Sequence, residues 1–209
     1  MNLKLQNVRL SYPNLFKAKA GPAGGEPKFS ATFLLGKEYN APEVDTLKKS
    51  ILAVAGEAWG TANVKWADGK LFLKKADGKA LHVKTCLRDG SEKEGTTGYG
   101  ADIVFFTASN KMQPPVVDKN PNVRLAEGDA RPYAGCFVNC AVRLWPQDNE
   151  FGKRINCQLQ AVQFRADGES FGDAPIAPEN VFANESGEEA NPFAEGGGEQ
   201  QQEEGDGSG

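Results

Sequence analysis

Tyr133-Ala134-Gly135-Cys136-Phe137-Val138-Asn139-Cys140-Ala141-Val142-Arg143-Leu144-Trp145 is the stretch whose reading decides the fold. Successive side chains of a strand point to opposite faces. Ala134, Cys136, Val138, Cys140, Val142 and Leu144 therefore share one face, and Tyr133, Phe137, Asn139, Arg143 and Trp145 share the other. The first face is a core. Pro146-Gln147-Asp148-Asn149 predicts a turn and Phe151 to Phe164 a returning strand, so 133–167 reads as one long hairpin. On the return, Ile155, Cys157, Leu159 and Ala161 continue the buried face, opposite Arg154, Asn156, Gln158 and Gln160. The apolar phase changes at Ala161-Val162, making Val162 and Phe164 the apolar pair. A bulge there lets one strand serve two sheet surfaces, as a small closed barrel requires.

The outward face mixes rings, an amide and a guanidinium, a composition suited to stacking on bases and holding phosphates. Aromatic residues are also common core residues, so each of Tyr133, Phe137 and Trp145 has a second reading, packed beneath a loop or a helix. The combination says more than its members.

Working outward, 209 residues with 39% apolar and 9% aromatic content suffice for one folded core with appendages. No apolar run approaches the roughly 20 residues of a spanning helix. Met1-Asn2-Leu3-Lys4-Leu5 leads straight into strand-like sequence, so the expectation is a cytoplasmic protein without a targeting peptide or membrane partner. Cys86, Cys136, Cys140 and Cys157 lie in strand-like segments with no C-x-x-C spacing, and His82 is the single histidine. Buried reduced thiols follow, with no metal and no cofactor expected. There is no phosphate-binding G-x-x-x-x-G-K-[ST], no nucleophile elbow and no carboxylate pair in an apolar setting, so no catalytic residue is assigned.

The net charge of −4 hides an asymmetry: 181–209 holds eight acids and no Lys or Arg, leaving 20 acids against all 24 bases in 1–180. The reading is a moderately basic domain, 1–180, and a disordered acidic tail, 181–209, whose only large apolar side chains are Phe182 and Phe193.

Within the domain, Leu3 to Tyr12 predicts a first strand and Lys28 to Leu35 its partner, joined by Pro13-Asn14-Leu15-Phe16 and then an irregular Gly/Pro-rich loop through Gly21-Pro22-Ala23-Gly24-Gly25. Asn40-Ala41-Pro42-Glu43 opens a helix, with Asn40 as N-cap and Val44, Leu47, Ile51, Val54, Ala55 and Ala58 as its buried stripe. Trp59 extends that stripe. Ala80 to Arg88 predicts a strand that presents His82, Lys84 and Arg88, and these extend the Arg143 and Arg154 surface if it neighbours the hairpin. Asp89 to Gly100 reads as a flexible loop, Ala101 to Thr107 as a strand buried on both sides, and Ser109 to Pro132 as a functional arm or covering loop. Together these give a mainly β chain: an OB-fold-like barrel of five or six antiparallel strands with one inserted amphipathic helix and long loops.

Val8-Arg9-Leu10-Ser11-Tyr12-Pro13-Asn14-Leu15-Phe16, Pro114-Pro115-Val116-Val117-Asp118, Tyr133 to Asn139 and Val162-Gln163-Phe164-Arg165-Ala166-Asp167-Gly168 resemble a phage family of single-stranded DNA-binding proteins, long catalogued as a domain of unknown function. The likeness covers about 2–172 and is close to the member from a tailed enterobacterial phage. It implies an OB-fold that coats single strands in phage DNA replication and recombination. Tyr133, Phe137 and Trp145 are then the candidate stacking platforms, with Tyr12 and Phe16 as further candidates, and Lys84, Arg88, Arg143, Lys153 and Arg154 the phosphate ligands. The tail would compete for the DNA groove and recruit phage or host replication proteins through Phe193, Glu199, Glu203, Glu204 and Asp206. It departs from the usual pattern in ending Asp206-Gly207-Ser208-Gly209 rather than on an aromatic residue, for which Asn191-Pro192-Phe193 is an internal substitute. Monomer and dimer both stay open, as do strand annealing and RNA binding. The alternative class is an acidic-tailed phage assembly or protein-interaction module without nucleic-acid binding, and a nuclease is the outsider.

Overall fold

The computed structural model of the protein describes residues 1–21 and 24–172. Its strands are β1 (Asn2–Gly21), β2 (Gly24–Gly36), β3 (Val64–Ala67), β4 (Lys70–Lys74), β5 (Ala80–Thr85), β6 (Leu87–Asp89), β7 (Ile103–Asn110), β8 (Val116–Val117), β9 (Phe137–Asn149) and β10 (Gly152–Ala166), with one α-helix, α1 (Ala41–Trp59).

Strand β10 organises the rest because it changes partner along one edge while β9 runs antiparallel along the other. Arg154 and Ile155 pair in parallel with Lys84 and Thr85 of β5, Gln158 with Ser109 of β7, and Val162 and Gln163 with Val116 and Val117 of β8. The order β10-β9-β1-β2-β7 thus returns to β10 and closes a five-stranded barrel. Closure is by a parallel pair, so the barrel is mixed rather than purely antiparallel. The expected bulge is present: Leu159 opposes Val142 and Ala161 opposes Ala141, leaving Gln160 unmatched. Cys157, Leu159, Val162 and Phe164 are all buried, which a strand of one unbroken phase could not achieve.

The hairpin turn lies three residues later than its sequence predicts, at Glu150-Phe151 between the paired Asn149 and Gly152. Pro146 is inside β9, opposite Ile155. Leu144 donates its N–H to Met1 O on the β1 side, so Pro146, two residues on, turns its missing N–H to the same edge beyond the last β1 pairing. A proline costs no ladder bond there. At the other end β9 begins at Phe137 rather than Tyr133.

The described residues between Pro13 and Gly25 are not an irregular loop. β1 and β2 continue through them as a two-stranded ribbon whose register slips at Ser11/Asn14, Asn14/Lys19 and Lys19/Gly21. Bulges absorb what the Pro and Gly residues cannot pair, and Tyr12 takes a positive φ of 47° at the first of them.

Helix α1 sits against β9, β3, β1 and β2 and buries Val44, Leu47, Ile51, Val54 and Ala55. Each fully buried Leu or Ile contributes about 1.5–3 kcal/mol. Ala58 is exposed, on the far side of the last turn. Asn40 stands at the N-cap position but its side chain does not cap. It accepts from Gly36 N–H and donates to Asn7 O, tying β2 to β1 instead. Residues 64–85 form a three-stranded meander, β3-β4-β5, whose Leu71, Leu73 and Val83 join the same core. Between β7 and β9 the only strand is the two-residue β8, which buries Val116, so this arm serves as a cover.

Candidate nucleic-acid interface

Inward residues of the barrel wall leave their alternate neighbours facing out, and the register aligns those neighbours into rows. The first row crosses five strands: Arg143 of β9 opposite Gln158 of β10, opposite Ser109 of β7, opposite Ser30 of β2, opposite Asn14 of β1. Arg143 is exposed and the other four are half-buried. One pleat further along, Thr107, Thr32 and Ser11 form a second row, with Thr32 and Thr107 hydroxyls 2.9 Å apart. Apart from Arg143 at one end, the floor so formed is uncharged and made of hydroxyls and amides. Such groups donate or accept equally well and meet a sugar-phosphate chain without choosing a base.

A third row, Arg88–Phe105–Leu34–Arg9–Phe137, sets two cations among three apolar groups. Phe105 and Leu34 are buried although they lie outside the barrel, and 90–100 folds over Phe105. Tyr99 meets Phe105 edge-on at 5.2 Å, and its hydroxyl bonds Ser11 at 3.2 Å. Lys93 Nζ lies 4.6 Å from the Tyr12 ring centroid, 5.0 Å from Tyr99 and 5.3 Å from Phe105. Burial, with Arg88 nearby, pulls this ammonium below the usual lysine range. Burial likewise raises the Tyr99 phenol. The segment read from sequence as a flexible loop is therefore an ordered cover.

Asp89 anchors that cover. Its carboxylate accepts from Lys37 Nζ at 2.8 Å and from Ser91 N–H at 3.0 Å, which lowers its pKa to about 2. A depressed carboxylate contributes stability above its unfolded pKa of about 3.9, lost as pH falls through the folded value. The pair is half-exposed, so solvent screens it and the effect is local. Amide protection in 90–100, relative to the intrinsic exchange rate at each pH, is expected to fall between pH 4 and pH 2 in the wild type, and Asp89→Asn to show the lower protection already at pH 6. Equal protection in the two proteins at pH 6 refutes the anchor.

A strap, 167–171, closes the other end of the third row. Arg9 lies between two rings, 5.5 Å from Phe137 and 4.4 Å from Phe171, and donates to Gly135 O at 3.2 Å and Glu169 O at 2.7 Å. Tyr133 Oη bonds Asp167 at 3.1 Å and Gly168 O at 3.0 Å, and Arg131 pairs with Asp167 at 2.8 Å. Between strap, cover and ribbon lies a concavity of about 430 Å³, lined by Tyr12, Asn14, Lys19, Thr96 and Phe171.

The predicted site residues fall into distinct settings. Arg143 and Trp145 face outward on β9, with Trp145 40% exposed. Lys84 lies directly beside Arg154 through the parallel β5–β10 pairing, so this strand does neighbour the hairpin. Tyr12 is half exposed at the rim of the concavity. Phe137 is half-buried under the strap and holds Arg9. Tyr133 packs on the core with its hydroxyl engaged, and Phe16 also packs on the core. Arg88 stacks on Phe105 at 5.1 Å and is held by Glu92. Lys153 has the strand parity of Ile155, bonds Asp148 and covers the Trp59 ring at 5.3 Å, away from the Arg143 face. Phe193, Glu199, Glu203, Glu204 and Asp206 lie outside the described residues, as does the boundary at 180. Sequence reading missed Lys93, Tyr99, Phe171 and the role of Arg9, while the burial of Phe105 on the outer face agrees with a strand buried on both sides. Of those missed, only Arg9 carried a signal, its outward parity beside Val8 and Leu10.

A second concavity of about 420 Å³, lined by Asn7, Lys119, Asn139, Gln163 and Arg165, has different chemistry. Its amides are engaged with one another: Asn139 accepts from Asn7 N–H and donates to Gln163, which donates to the carbonyls of Asp118 and Lys119. That ladder ties the β8 arm to the barrel. The four thiols are free, and burial raises Cys136 to about 11 and lifts Cys140 further. Among the described residues no three His, Cys, Asp or Glu side chains gather as a metal site, and no helix is long and apolar enough to cross a membrane.

Known proteins share this arrangement. The single-stranded DNA-binding protein of bacteriophage Enc34, solved in complex with single-stranded DNA, superposes with a TM-score of 0.65 at 29% identity, over 82% of this chain and 89% of that one. Gp2.5, a single-stranded DNA-binding protein encoded by bacteriophage T7, shares the fold at a TM-score of 0.55 and 13% identity, over 82% and 95% of the two chains. A putative protein p50 of Acyrthosiphon pisum secondary endosymbiont phage 1 is 35% identical over 182 residues, 87% of this chain and 92% of its own. The family described as the Enterobacter phage Enc34 ssDNA-binding protein matches residues 1–192, and with a barrel of the same fold beneath that match, this chain belongs to it.

Proposed function

We propose that this chain binds single-stranded DNA with little sequence preference, coating it during phage DNA replication and recombination in the cytoplasm of the infected bacterium. The observation that carries the reading is the open row Arg143–Gln158–Ser109–Ser30–Asn14, a polar path across all five barrel strands. Trp145 stands above one end of it with Arg154 and Lys84, and Tyr12 with Lys19 stands at the other. Rings there offer stacking faces and cations offer phosphate contacts, the two elements of sequence-tolerant single-strand binding. The strands that supply the floor, β2 and β7 with β1, hold the positions that OB-folds use for oligonucleotides.

The eight acids of 181–209 belong to the same reading. Opposite charge on one chain lets the tail occupy the basic path when DNA is absent and, once displaced, engage replication proteins. A gel shift of a 30-nucleotide oligo-dT against duplex, run for the full chain and for a chain ending at Asn180, tests both parts. The single strand is expected to shift at lower protein concentration than the duplex, and the truncated chain to bind more tightly, most at low salt. No shift of oligo-dT rejects DNA binding in favour of a protein-interaction module. Equal affinity of the two chains rejects tail competition.

A further inference from the structure

We infer that the meander β3-β4-β5 carries the single strand beyond the barrel, as a second, lysine-rich segment of the binding path. This rests on the proposed DNA reading and extends it to a surface outside the barrel groove. The burial pattern sets the two sides of the meander apart. Leu71, Leu73 and Val83 point to the core, so Lys70, Phe72, Lys74, His82 and Lys84 point away from it. Register places Lys65, Phe72 and His82 side by side, and the Phe72 and His82 rings lie 5.8 Å apart, tilted by 48°. Lysines 65, 70, 74 and 84 surround this pair, all exposed and none in an ion pair among the described residues. The three strands, Val64–Ala67, Lys70–Lys74 and Ala80–Thr85, contain no acidic residue.

Two features select nucleic acid as the occupant. The first is continuity: Lys84 adjoins Arg154, and the outward face of β10 leads from Arg154 through Asn156 to Gln158, a member of the five-strand row. A chain lying on the row reaches the meander along one continuous face, passing from the neutral amides of Gln158 and Asn156 to the Arg154 and Lys84 cations. The second is composition. Lysines alone would suit any polyanion, the acidic tail included, but a half-buried Phe72 ring beside the exposed His82 ring, set among them, gives a face on which a base can stack. The 181–209 segment brings only two rings, Phe182 and Phe193, among its eight acids, whereas a single strand brings a base with every phosphate.

The test uses the full-length chain and two oligomers, dT8 and dT30, measured by fluorescence anisotropy across a salt series. The variant Lys65→Ala/Lys70→Ala/Lys74→Ala changes exposed side chains only, and an unchanged melting curve verifies its fold. Three lost phosphate contacts lower the dT30 salt slope by about 2 and weaken dT30 about tenfold or more at low salt, while dT8, held by the barrel, stays within about twofold. Phe72→Ala is expected to weaken dT30 selectively as well. Unchanged dT30 binding in both variants overturns the inference. So does a triple variant that binds dT30 normally but no longer gains affinity on truncation at Asn180, since the meander then holds the tail. Failure of the barrel reading gives a different result: wild-type dT8 is not bound, or Arg143→Ala leaves its binding unchanged.

Discussion

Trp145→Ala weakens binding of oligo-dT about tenfold, and Arg143→Ala in the same chain compounds the loss. The indole is 40% exposed at an outward position of β9, opposite Asn156 and two residues from Arg143. Among the described residues no covering segment takes its face, unlike Phe137 under the strap or Phe105 under 90–100. Stacking of one base on one ring contributes about 1–3 kcal/mol, which sets the tenfold figure. Arg143 acts differently. About four phosphate contacts on the barrel path give a plot of log K against log salt a slope near −3, and removing one of them makes it shallower by about 0.7. The two variants are therefore distinguishable in one titration, Trp145→Ala shifting the line and Arg143→Ala tilting it. A wild-type affinity independent of salt, or a Trp145→Ala line that superposes on wild type, removes the barrel path.

Gly135→Ala unseats the strap and lowers the melting temperature by about 5–15 °C, corresponding to about 2–5 kcal/mol for a chain of this size. Gly135 has φ +106°, where a side chain is strained by about 1–2 kcal/mol. Its added Cβ would collide with the carbonyl oxygen of Glu169 and stand 2.9 Å from Ser170 Cα. Glu169 O is the acceptor of the Arg9 guanidinium, and Phe171 N–H bonds Ala134 O, so the collision falls on the contacts that hold the strap. Gly128→Ala is the control: φ is +97° but nothing lies within 4 Å of the added carbon. It is expected to show the backbone strain alone. Equal melting losses in the two variants dispose of the steric account. Proteolysis within 167–172 faster in Gly135→Ala than in Gly128→Ala supports it.

Particular residues show how much was legible from the amino-acid sequence. The inward set from Cys136 to Leu144, the phase change before Val162 and the helical stripe from Val44 to Ala55 are all periodic, and each emerged in the structure where the period put it. Punctuation proved less dependable. Pro146 does not break β9 because its missing donor faces an unpaired edge, and Pro13 sits in a bulge rather than a loop. Asn40 lies where a cap belongs, yet Gly36 and Asn7 take its side chain. A proline or asparagine reports the hydrogen bonds it forgoes or offers, and which neighbour needs them depends on the fold.

Side-chain direction along each strand follows from backbone geometry over two residues, so the sequence by itself determined that Arg143, Trp145 and Arg154 face outward and that a bulge divides β10. Neighbourhood was decided by the tertiary structure alone. Lys84 lies beside Arg154 only because residues 70 positions apart pair in parallel, and Arg9 meets Phe137 and Phe171 only because β1 joins β9 and a strap crosses both. Alternation alone separates Lys153 from Arg154, but that Lys153 then covers Trp59 while Arg154 adjoins Lys84 is a matter of packing. Alternation is local and fixes a face, whereas pairing between distant segments fixes which faces adjoin, and the candidate interface is made of adjoining faces.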